Sequence, residues 1–454
     1  MDLALVAQVL NRRAALARSE RLRPDQIAER RARQVRGLRE FALSRSSFYT
    51  RFHEGLERAP LADLPILTKA DLMAHFDQVV TDPRVTRSAL TAHLARLAEE
   101  GGDPGRAWRG RWWAAATAGS TGEPAVLAWN RGEWATVLAS YARAMRWADV
   151  PLGPTHPLRL AIVSSLVPSH QSAVVGATSR APFVETLRLD ARTPLADLAD
   201  SLNHFQPRVL VGYASALRAL ATAQLDGRLD ITPQTVMSAS EVLSSATADV
   251  LTAAWGRLPF DVYAATETAG IASTCSVGAR HLYDDLLIVE PVDADDRPVP
   301  PGTPSARTLV TVLFNRTVPL IRYALSDRVT PVAEPCTCGL PFARIGPVGG
   351  RAEDTLAGVG GLAGFDPEVL RPVIEAFPVA RWQVGAHDDA LEVLLVVERP
   401  FDTSRMVDRL NRVLPPGAGR HISIRLVPDL SLTALGKSRP LGPPPGEADF
   451  LAQS

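Results

Sequence analysis

Short apolar runs alternate with amphipathic stretches between residues 158 and 264, and this alternation limits the fold more than any other feature. Buried strands are predicted over 158–167, 207–212, 235–238 and 260–264, and helices over 132–147, 215–224 and 245–255. Strands that alternate with helices form mostly parallel sheets with helices on their faces. The sequence therefore predicts an α/β protein with layered, mostly parallel sheets.

The sequence before and after this region follows different patterns. Residues 1–100 place apolar side chains at helical spacing, and Thr68 is predicted to cap a helix that begins at Lys69. Further strands are predicted over 307–313 and 391–397, and glycines cluster from Gly350 onwards. We therefore expect a large amino-terminal domain over 1–350, with a helical lead-in over 1–100. A small, mobile α+β domain is expected over 351–454.

Charge and composition exclude several classes of protein. The 49 basic residues balance 49 acidic ones, so the basic excess of a nucleic-acid-binding protein is missing. No apolar run approaches the roughly 20 residues that span a bilayer. The amino terminus does not resemble a secretory signal, and three cysteines are too few for a disulfide framework. We expect a cytoplasmic protein that binds small molecules and neither nucleic acid nor membrane.

A glycine- and hydroxyl-rich segment at 117–124 is the first candidate for phosphate binding. Its candidate residues are Thr117, Gly119, Ser120, Thr121 and Gly122. The glycines allow close backbone approach, and the N–H groups and hydroxyls could surround phosphate oxygens. The segment lacks the Gly-Lys-Ser/Thr ending of a Walker A loop, and a plain Gly/Ser turn explains it equally well.

Thr266 and Glu267 form a second candidate, because they follow the predicted strand at 260–264. Ligands bind at the carboxyl ends of the strands in parallel sheets. Glu267 could ligate Mg²⁺ through its carboxylate oxygens, and Thr266 could donate to a phosphate. The alternative is a helix that begins here, with Thr266 or Thr268 as its cap.

Three single residues complete the set of candidates. Asp327 follows the apolar segment 319–326 and could accept the hydroxyls of a ribose, although an aspartate in this position is usually a turn residue. Arg351 follows Gly350. Lys437 is one of only two lysines among the 49 basic residues. It lies in a predicted loop, and its compact ammonium group on a flexible stem should be able to move.

In this order and spacing the motifs resemble the adenylate-forming superfamily of acyl-CoA synthetases, adenylation domains and luciferases. The segments 48–49, 64–72 and 319–327 are typical of its phenylacetate–CoA ligase branch. The resemblance implies that ATP converts a carboxylic acid, of aryl or arylacetic type, to an acyl adenylate with release of pyrophosphate. CoA then receives the acyl group as a thioester. Mg²⁺ is implied as the cofactor, and dimers are common among similar enzymes.

Two alternatives stay open. The adenylate could pass to another acceptor, such as an amine, a carrier-protein thiol or a small inorganic nucleophile. The chain could instead be a catalytically weak homologue that binds nucleotide or acyl ligand. Glu123 favours the latter, because related enzymes often have a lysine there.

The resemblance also implies roles for individual residues. Thr266, Glu267, Arg351 and Lys437 would be catalytic, Asp327 would bind the ribose, and Glu353 would be the hinge of the small domain. The adenine would be held by Ser240, Glu241, Tyr263, Ala264 and Ala265. The acyl pocket would be formed by His170, Tyr213, Ala264 and Gly270. For His170 and Tyr213 a purely structural role is an equally good interpretation.

The cysteines form a separate group. Cys275, Cys336 and Cys338 lie within 64 residues of one another, and His281 falls in the same window. Four nitrogen and sulfur ligands are what a closed, tetrahedral, structural zinc site needs. We expect about one Zn²⁺ per chain, with free buried thiols as the alternative.

Overall fold

The computed structural model describes residues 2–117, 124–151, 157–179, 183–351, 354, 356, 365–387, 390–415, 421–438 and 440–441. Most of the predicted phosphate loop, namely Gly119, Ser120, Thr121 and Gly122, lies outside these residues, as does Glu123. The predicted hinge, Glu353, also lies outside them. Thr117 lies within.

The amino-terminal region is helical, as predicted. Its helices are α1 (Leu3–Ser19), α2 (Pro24–Arg45), α3 (Ser47–Phe52), α4 (Lys69–Ala74), α5 (Phe76–Val79) and α6 (Arg87–Glu100). The predicted cap of α4 is confirmed, because the Thr68 hydroxyl accepts the backbone N–H of Asp71 at 3.1 Å. The Asp71 carboxylate in turn accepts the N–H of Thr68 at 3.3 Å, which completes a capping box.

The middle of the chain alternates strands and helices. Its first half contains β1 (Trp112–Ala116), β2 (Val126–Asn130), α7 (Arg131–Trp147), β3 (Leu158–Ser164), α8 (Gln171–Thr178), β4 (Val184–Asp190), α9 (Leu195–Phe205), β5 (Val209–Gly212), α10 (Ala214–Leu225), β6 (Thr235–Ala239) and α11 (Ser245–Trp255). Strand β3 is shorter than predicted. Beyond it the Ser165 hydroxyl accepts the N–H of Val167, so a local turn replaces pairing with a neighbouring strand.

Strands dominate the next part of the chain. They are β7 (Phe260–Ala265), β8 (Ala269–Thr274), β9 (Arg280–Leu282), β10 (Leu287–Val292), β11 (Arg307–Val312), β12 (Tyr323–Leu325), β13 (Pro331–Val332) and β14 (Arg344–Ile345). The carboxy-terminal unit contains α12 (Arg371–Ile374), β15 (Val379–His387), β16 (Ala390–Val397), α13 (Thr403–Val413) and β17 (His421–Leu426).

A nine-stranded sheet organises the described residues, in the order β13-β14-β9-β8-β7-β6-β5-β3-β4. Neighbouring strands among β3 to β7 pair in parallel. The pairs β7–β8, β8–β9, β9–β14 and β14–β13 are antiparallel. The predicted parallel sheet is therefore confirmed, with an antiparallel extension on one side. Smaller sheets are formed by β1-β2, by β10-β11-β12 and by β15-β16-β17.

The two faces of this sheet are covered differently. On one face Val163, Leu210 and Val236 belong to a core that includes residues of α9, α10 and α11. On the other face Leu160 and Met237 cluster with residues of α7. Residues beyond 355 have a core of their own around strands β15 and β16. Among the described residues no helix has both the length and the apolar character needed to cross a membrane.

Candidate active site

A cavity of about 1340 Å³ opens at the carboxyl ends of the parallel strands and extends to the carboxy-terminal unit. It is lined by most of the residues that the sequence singles out, namely Thr117, His170, Tyr213, Ser240, Glu241, Tyr263, Ala264, Ala265, Thr266, Glu267, Asp327, Arg351 and Lys437. The fold thus brings together side chains from one end of the chain to the other, at the edge where parallel sheets bind ligands.

Gly270 lies apart from these residues, and its predicted place in the acyl pocket stays a prediction. It is buried in β8, and it does not line the cavity. A Cβ atom at this position would lie 2.7 Å from the Tyr283 ring and 3.2 Å from the Ser140 hydroxyl. Glycine is required here because a helix and a neighbouring ring approach the backbone closely.

Thr266 and Glu267 lie in a tight turn between β7 and β8, so the predicted alternative of a helix cap is wrong. The N–H of Thr268 donates to the carbonyl of Ala265 at 3.2 Å and closes the turn. The Glu267 carboxylate is buried and accepts the Tyr323 hydroxyl at 3.2 Å. Burial raises the pKa of Glu267, so a cation beside it would stabilise its ionised form.

Asp327 lies between a phenol and a guanidinium group. One of its carboxylate oxygens accepts the Tyr263 hydroxyl at 2.9 Å, and the other lies 3.6 Å from Nε of Arg351. The backbones of Asp327 and Arg351 form a β-bridge. This bridge places the first residue after Gly350 directly against the predicted ribose-binding carboxylate.

Lys437 reaches the cavity from the carboxy-terminal unit. Its loop is closed by two hydrogen bonds with Thr433, of 2.9 and 3.0 Å. Gly436 has a φ of +74°, a conformation that favours glycine. Nζ of Lys437 lies 5.5 Å from the centre of the Tyr213 ring. Burial lowers the pKa of Lys437 to about 8, against the opposing effect of the Glu241 carboxylate.

Glu241 makes a connection that the sequence did not predict. One carboxylate oxygen accepts the backbone N–H of Ser215 at 2.8 Å, and the other accepts the N–H of Ser438 at 2.7 Å. Ser215 lies in the first turn of α10, whereas Ser438 follows Lys437. This single carboxylate therefore joins the large sheet region to the loop that carries the lysine.

His170 and Tyr213 line the cavity, and each also makes a hydrogen bond within the protein. Nδ1 of His170 lies 2.8 Å from the Ser172 hydroxyl, and the Tyr213 hydroxyl accepts the N–H of Ser165 at 2.9 Å. Burial lowers the pKa of His170 to about 3, and the nearby Lys437 contributes to the lowering. The imidazole is therefore neutral at physiological pH, which suits a position next to an ammonium group.

The sequence did not predict a series of hydrogen bonds that ends at the β7–β8 turn. The Tyr141 hydroxyl donates to Oε1 of Gln171, and Nε2 of Gln171 donates to the carbonyl of Thr266, each at 3.0 Å. Gln171 is only 4% exposed, so both bonds are protected from water. Its position beside His170 was the only signal, since a single glutamine forms no motif. Tyr323, which contacts Glu267, lies inside the 319–327 segment already noted.

The three cysteines and His281 come together, as predicted. Their ligand atoms lie within 4.8 Å of one another. The Cys275 and Cys336 sulfurs are 3.8 Å apart, and the Cys338 sulfur is 3.3 Å from Nε2 of His281. Two sulfurs of a tetrahedral zinc site with Zn–S of about 2.3 Å are separated by about 3.8 Å. Nδ1 of His281 lies 3.0 Å from the Phe342 carbonyl, which directs the Nε2 lone pair to the cluster.

The carboxy-terminal unit rests on α10 and on the start of α11. Nε of Arg218 donates to the carbonyl of Val379 at 3.1 Å and lies 3.3 Å from the Glu398 carboxylate. The Ser244 hydroxyl donates to the Glu375 carboxylate. Arg218 is only 5% exposed. These contacts, together with the Glu241–Ser438 bond, hold Lys437 over the site.

Comparison with known proteins identifies the relatives of this arrangement. No protein-family profile matches the chain. The phenylacetate–coenzyme A ligase of Thermus thermophilus is 31% identical over 142 residues, which are 29% of this chain and 31% of that relative. The match thus spans under a third of the relative's own length, and it supports the predicted branch locally.

Solved structures match over almost the whole chain. A 2-hydroxyisobutyryl-CoA ligase in the postadenylation state, in complex with R3-HIB-AMP, has a TM-score of 0.73 at 16% identity. The match covers 96% of this chain and 93% of that ligase. The same ligase in complex with 2-HIB-AMP and CoA in the thioesterification state has a TM-score of 0.59 at 17% identity, with 96% and 94% coverage. The resemblance read from the sequence is therefore confirmed at the level of the fold: this chain has the fold of the acyl-CoA ligases of the adenylate-forming superfamily.

Proposed function

We propose that the chain is an AMP-forming acid–CoA ligase. It activates a carboxylic acid with ATP to an acyl adenylate, releases pyrophosphate and transfers the acyl group to CoA. The observation that carries the proposal is the convergence of Glu267, Asp327, Arg351 and Lys437 on one cavity at the carboxyl ends of the strands. This set supplies a metal ligand, a ribose acceptor and two cations, which the adenylation reaction needs.

ATP is held by groups with separate tasks. Asp327 accepts the ribose hydroxyls, because its carboxylate is already oriented by Tyr263 and Arg351. Ser240, Tyr263, Ala264 and Ala265 surround the adenine. Thr266 would donate to the α-phosphate, and the predicted loop at 117–122, of which only Thr117 is among the described residues, would contact the other phosphates. Glu267, which accepts the Tyr323 hydroxyl, would hold Mg²⁺ through its carboxylate, and the bound ion would neutralise phosphate charge.

In the first half of the reaction the substrate carboxylate attacks the α-phosphorus, and the bond to pyrophosphate breaks. Negative charge is then shared among the attacking, non-bridging and leaving oxygens. Lys437 and Arg351 stabilise this charge in a site from which protein side chains exclude most water. His170 is neutral and lies beside Lys437. It orients the substrate acid and does not add a second positive charge next to the lysine.

In the second half the CoA thiol replaces AMP on the acyl carbon. We propose that the small domain rotates about the hinge at Glu353 between the two steps and withdraws Lys437. We assign the described arrangement to the step that makes the adenylate. The TM-score is higher against the postadenylation state of the ligase than against its thioesterification state, which supports this assignment.

We further propose that Cys275, His281, Cys336 and Cys338 bind a structural zinc ion. Four protein ligands leave no coordination position for a substrate. The sulfur–sulfur distance of 3.8 Å fits a shared metal and is far too long for a disulfide.

A pyrophosphate-release screen over carboxylic acids, with and without CoA, tests this function. We expect release that depends on the acid and a thioester product when CoA is present. Release without any thioester would favour another acceptor, and nucleotide binding without release would favour a catalytically weak homologue. Lys437→Ala should lower release at least a hundredfold, because about 3 kcal/mol of charge stabilisation is lost. Arg425→Ala, which removes an exposed cation of the same unit, serves as the control.

A further inference from the structure

The cavity does not end at the nucleotide-binding groups but continues along β3. Alternate residues of this strand, Leu158, Leu160, Ile162 and Ser164, all line it. Alternate residues of a strand share one face, and the strand rises about 3.3 Å per residue. The cavity therefore follows β3 for about 20 Å, from the polar end at Ser164 to Leu158.

Residues of the neighbouring strands widen the floor of the cavity at two positions along β3. Val211 of β5 is opposite Ile162, and it is in turn opposite Met237 of β6, close to the polar end. Val184 of β4 is opposite Leu158, at the far end. All of these side chains line the same cavity. The floor of the cavity thus extends beyond the row formed by Ile162, Val211 and Met237 and reaches Val184 in the edge strand β4.

Helix α7 forms the roof. Leu138, Tyr141 and Met145 line the cavity, and their spacing of three and four residues puts them on one face of the helix. Tyr141 and Met145 are only half-buried although they face the sheet, as expected where a helix covers a space instead of a packed core. We call these roof and floor residues the acyl chamber: Leu138, Tyr141, Met145, Leu158, Leu160, Ile162, Val184, Val211 and Met237.

The nine side chains of the acyl chamber are uncharged, although Arg13, Asp261 and Arg280 line other parts of the same cavity. Lys437 and His170 border the cavity near its Ser164 end, as does Thr266. A carboxylate would be attracted to this polar end, and an apolar group would replace water along the rest. A compact ring next to the carboxylate would not reach the part of the cavity beside Leu160 and Val184, so the dispersion contacts with their side chains would not be made.

We propose that the acid is elongated and apolar, with a medium- to long-chain alkyl group, instead of the aryl or arylacetic acid that the resemblance implies. This inference rests on the proposed function, because it concerns the acid of that reaction. Each methylene group buried in the acyl chamber should raise kcat/KM about fourfold until the chamber is filled.

A series of acids in the pyrophosphate-release assay tests the length directly. The probes are butanoic, octanoic, dodecanoic and phenylacetic acid, each below its solubility limit. We expect kcat/KM to rise from butanoic through octanoic to dodecanoic acid, with phenylacetic acid below octanoic acid. A maximum at phenylacetic or butanoic acid, or a fall between octanoic and dodecanoic acid, would overturn the inference. Absence of release with every acid would instead contradict the proposed function.

Two variants locate the far end of the acyl chamber. Leu158→Trp should lower the ratio of kcat/KM for dodecanoic over octanoic acid at least tenfold. Arg159→Trp places the same side chain at an exposed position of the same strand, on the face away from the chamber, and should leave that ratio within twofold. If thermal melting shows that Leu158→Trp does not fold, Met145→Ala replaces it. That variant removes a roof side chain and should raise the ratio for hexadecanoic over dodecanoic acid. An unchanged ratio in the folded variants would overturn the inference.

Discussion

At the scale of single residues, Lys437 combines two properties that conflict. The proposed adenylation needs its positive charge, yet its enclosed position disfavours that charge. Burial lowers the pKa of Lys437 to about 8, and Arg351 contributes to the lowering, while the Glu241 and Asp327 carboxylates limit it. The free enzyme therefore loses the ammonium group within the pH range in which the protein can be assayed.

We predict that kcat/KM for adenylation falls as pH rises through about 8. The sign follows from the direction of ionisation: the lysine is charged below its pKa and neutral above it. The pH profile of kcat/KM reports the free enzyme, so it is the quantity to measure. Lys437→Arg should be slower, because a planar guanidinium group cannot replace a compact ammonium, but its profile should stay flat to pH of about 10.

A flat profile in the unchanged enzyme would contradict this prediction. Arg425→Ala provides the control, since it removes an exposed charge and should keep the decline near pH of about 8.

The residue scale also shows how far motifs alone can predict the site. Asp327 and Lys437 were predicted because their charge and spacing match a known reaction. The steric constraint on Gly270 was not predicted, because it comes from close packing against Tyr283 and Ser140 and has no motif in the sequence. The Glu241–Ser438 bond was not predicted, because its donor is a backbone N–H nearly 200 residues away, and almost every residue has such a group.

At the scale of elements, local patterns predicted most strands and helices, and a tertiary partner decided the rest. A Thr-Glu-Thr sequence after a strand fits either a helix cap or a tight turn. The antiparallel partner β8 selects the turn, and this partner could not be read from residues 260–268. By contrast, the capping box at Thr68 depends on residues within one turn of the helix, so its prediction was confirmed.

The proposed zinc ion joins elements that pair weakly by themselves. Cys275 follows β8, His281 lies in β9, and Cys336 and Cys338 lie between the two-residue strands β13 and β14. We predict that purified protein contains about one zinc ion per chain and that Cys338→Ser loses it. The variant should unfold with a free energy lower by at least about 2 kcal/mol, because the metal stabilises only the folded arrangement.

Metal analysis and thermal unfolding measure the two effects. His281→Asn should behave like Cys338→Ser, whereas His204→Asn, which replaces an exposed histidine of α9, should retain the metal. A zinc-free, folded preparation with three freely reacting thiols would rule out the site.

At the scale of the whole molecule, the described arrangement is one position of the carboxy-terminal unit. Its contacts with the rest of the chain are mostly polar: Arg218 with Glu398, Ser244 with Glu375, and Glu241 with the N–H of Ser438. Polar contacts between packed units can be exchanged for water at modest cost, whereas a large apolar interface could not. The composition of this interface therefore suits the proposed rotation, in which the unit would leave it after each adenylation.

These contacts should stabilise the arrangement that makes the adenylate and have no effect on the one that uses it. We predict that Arg218→Ala slows adenylation at least about tenfold, because removal of a buried charged hydrogen bond costs roughly 1.5–3 kcal/mol of the closed arrangement. Transfer from preformed acyl adenylate to CoA should stay within twofold. Single-turnover pyrophosphate release measures the first step, and thioester formation from added adenylate measures the second. Glu398→Ala combined with Arg218→Ala should cost less than the sum of the single changes, since the two side chains form one pair. An equal loss in both steps would show instead that Arg218 supports the fold as a whole.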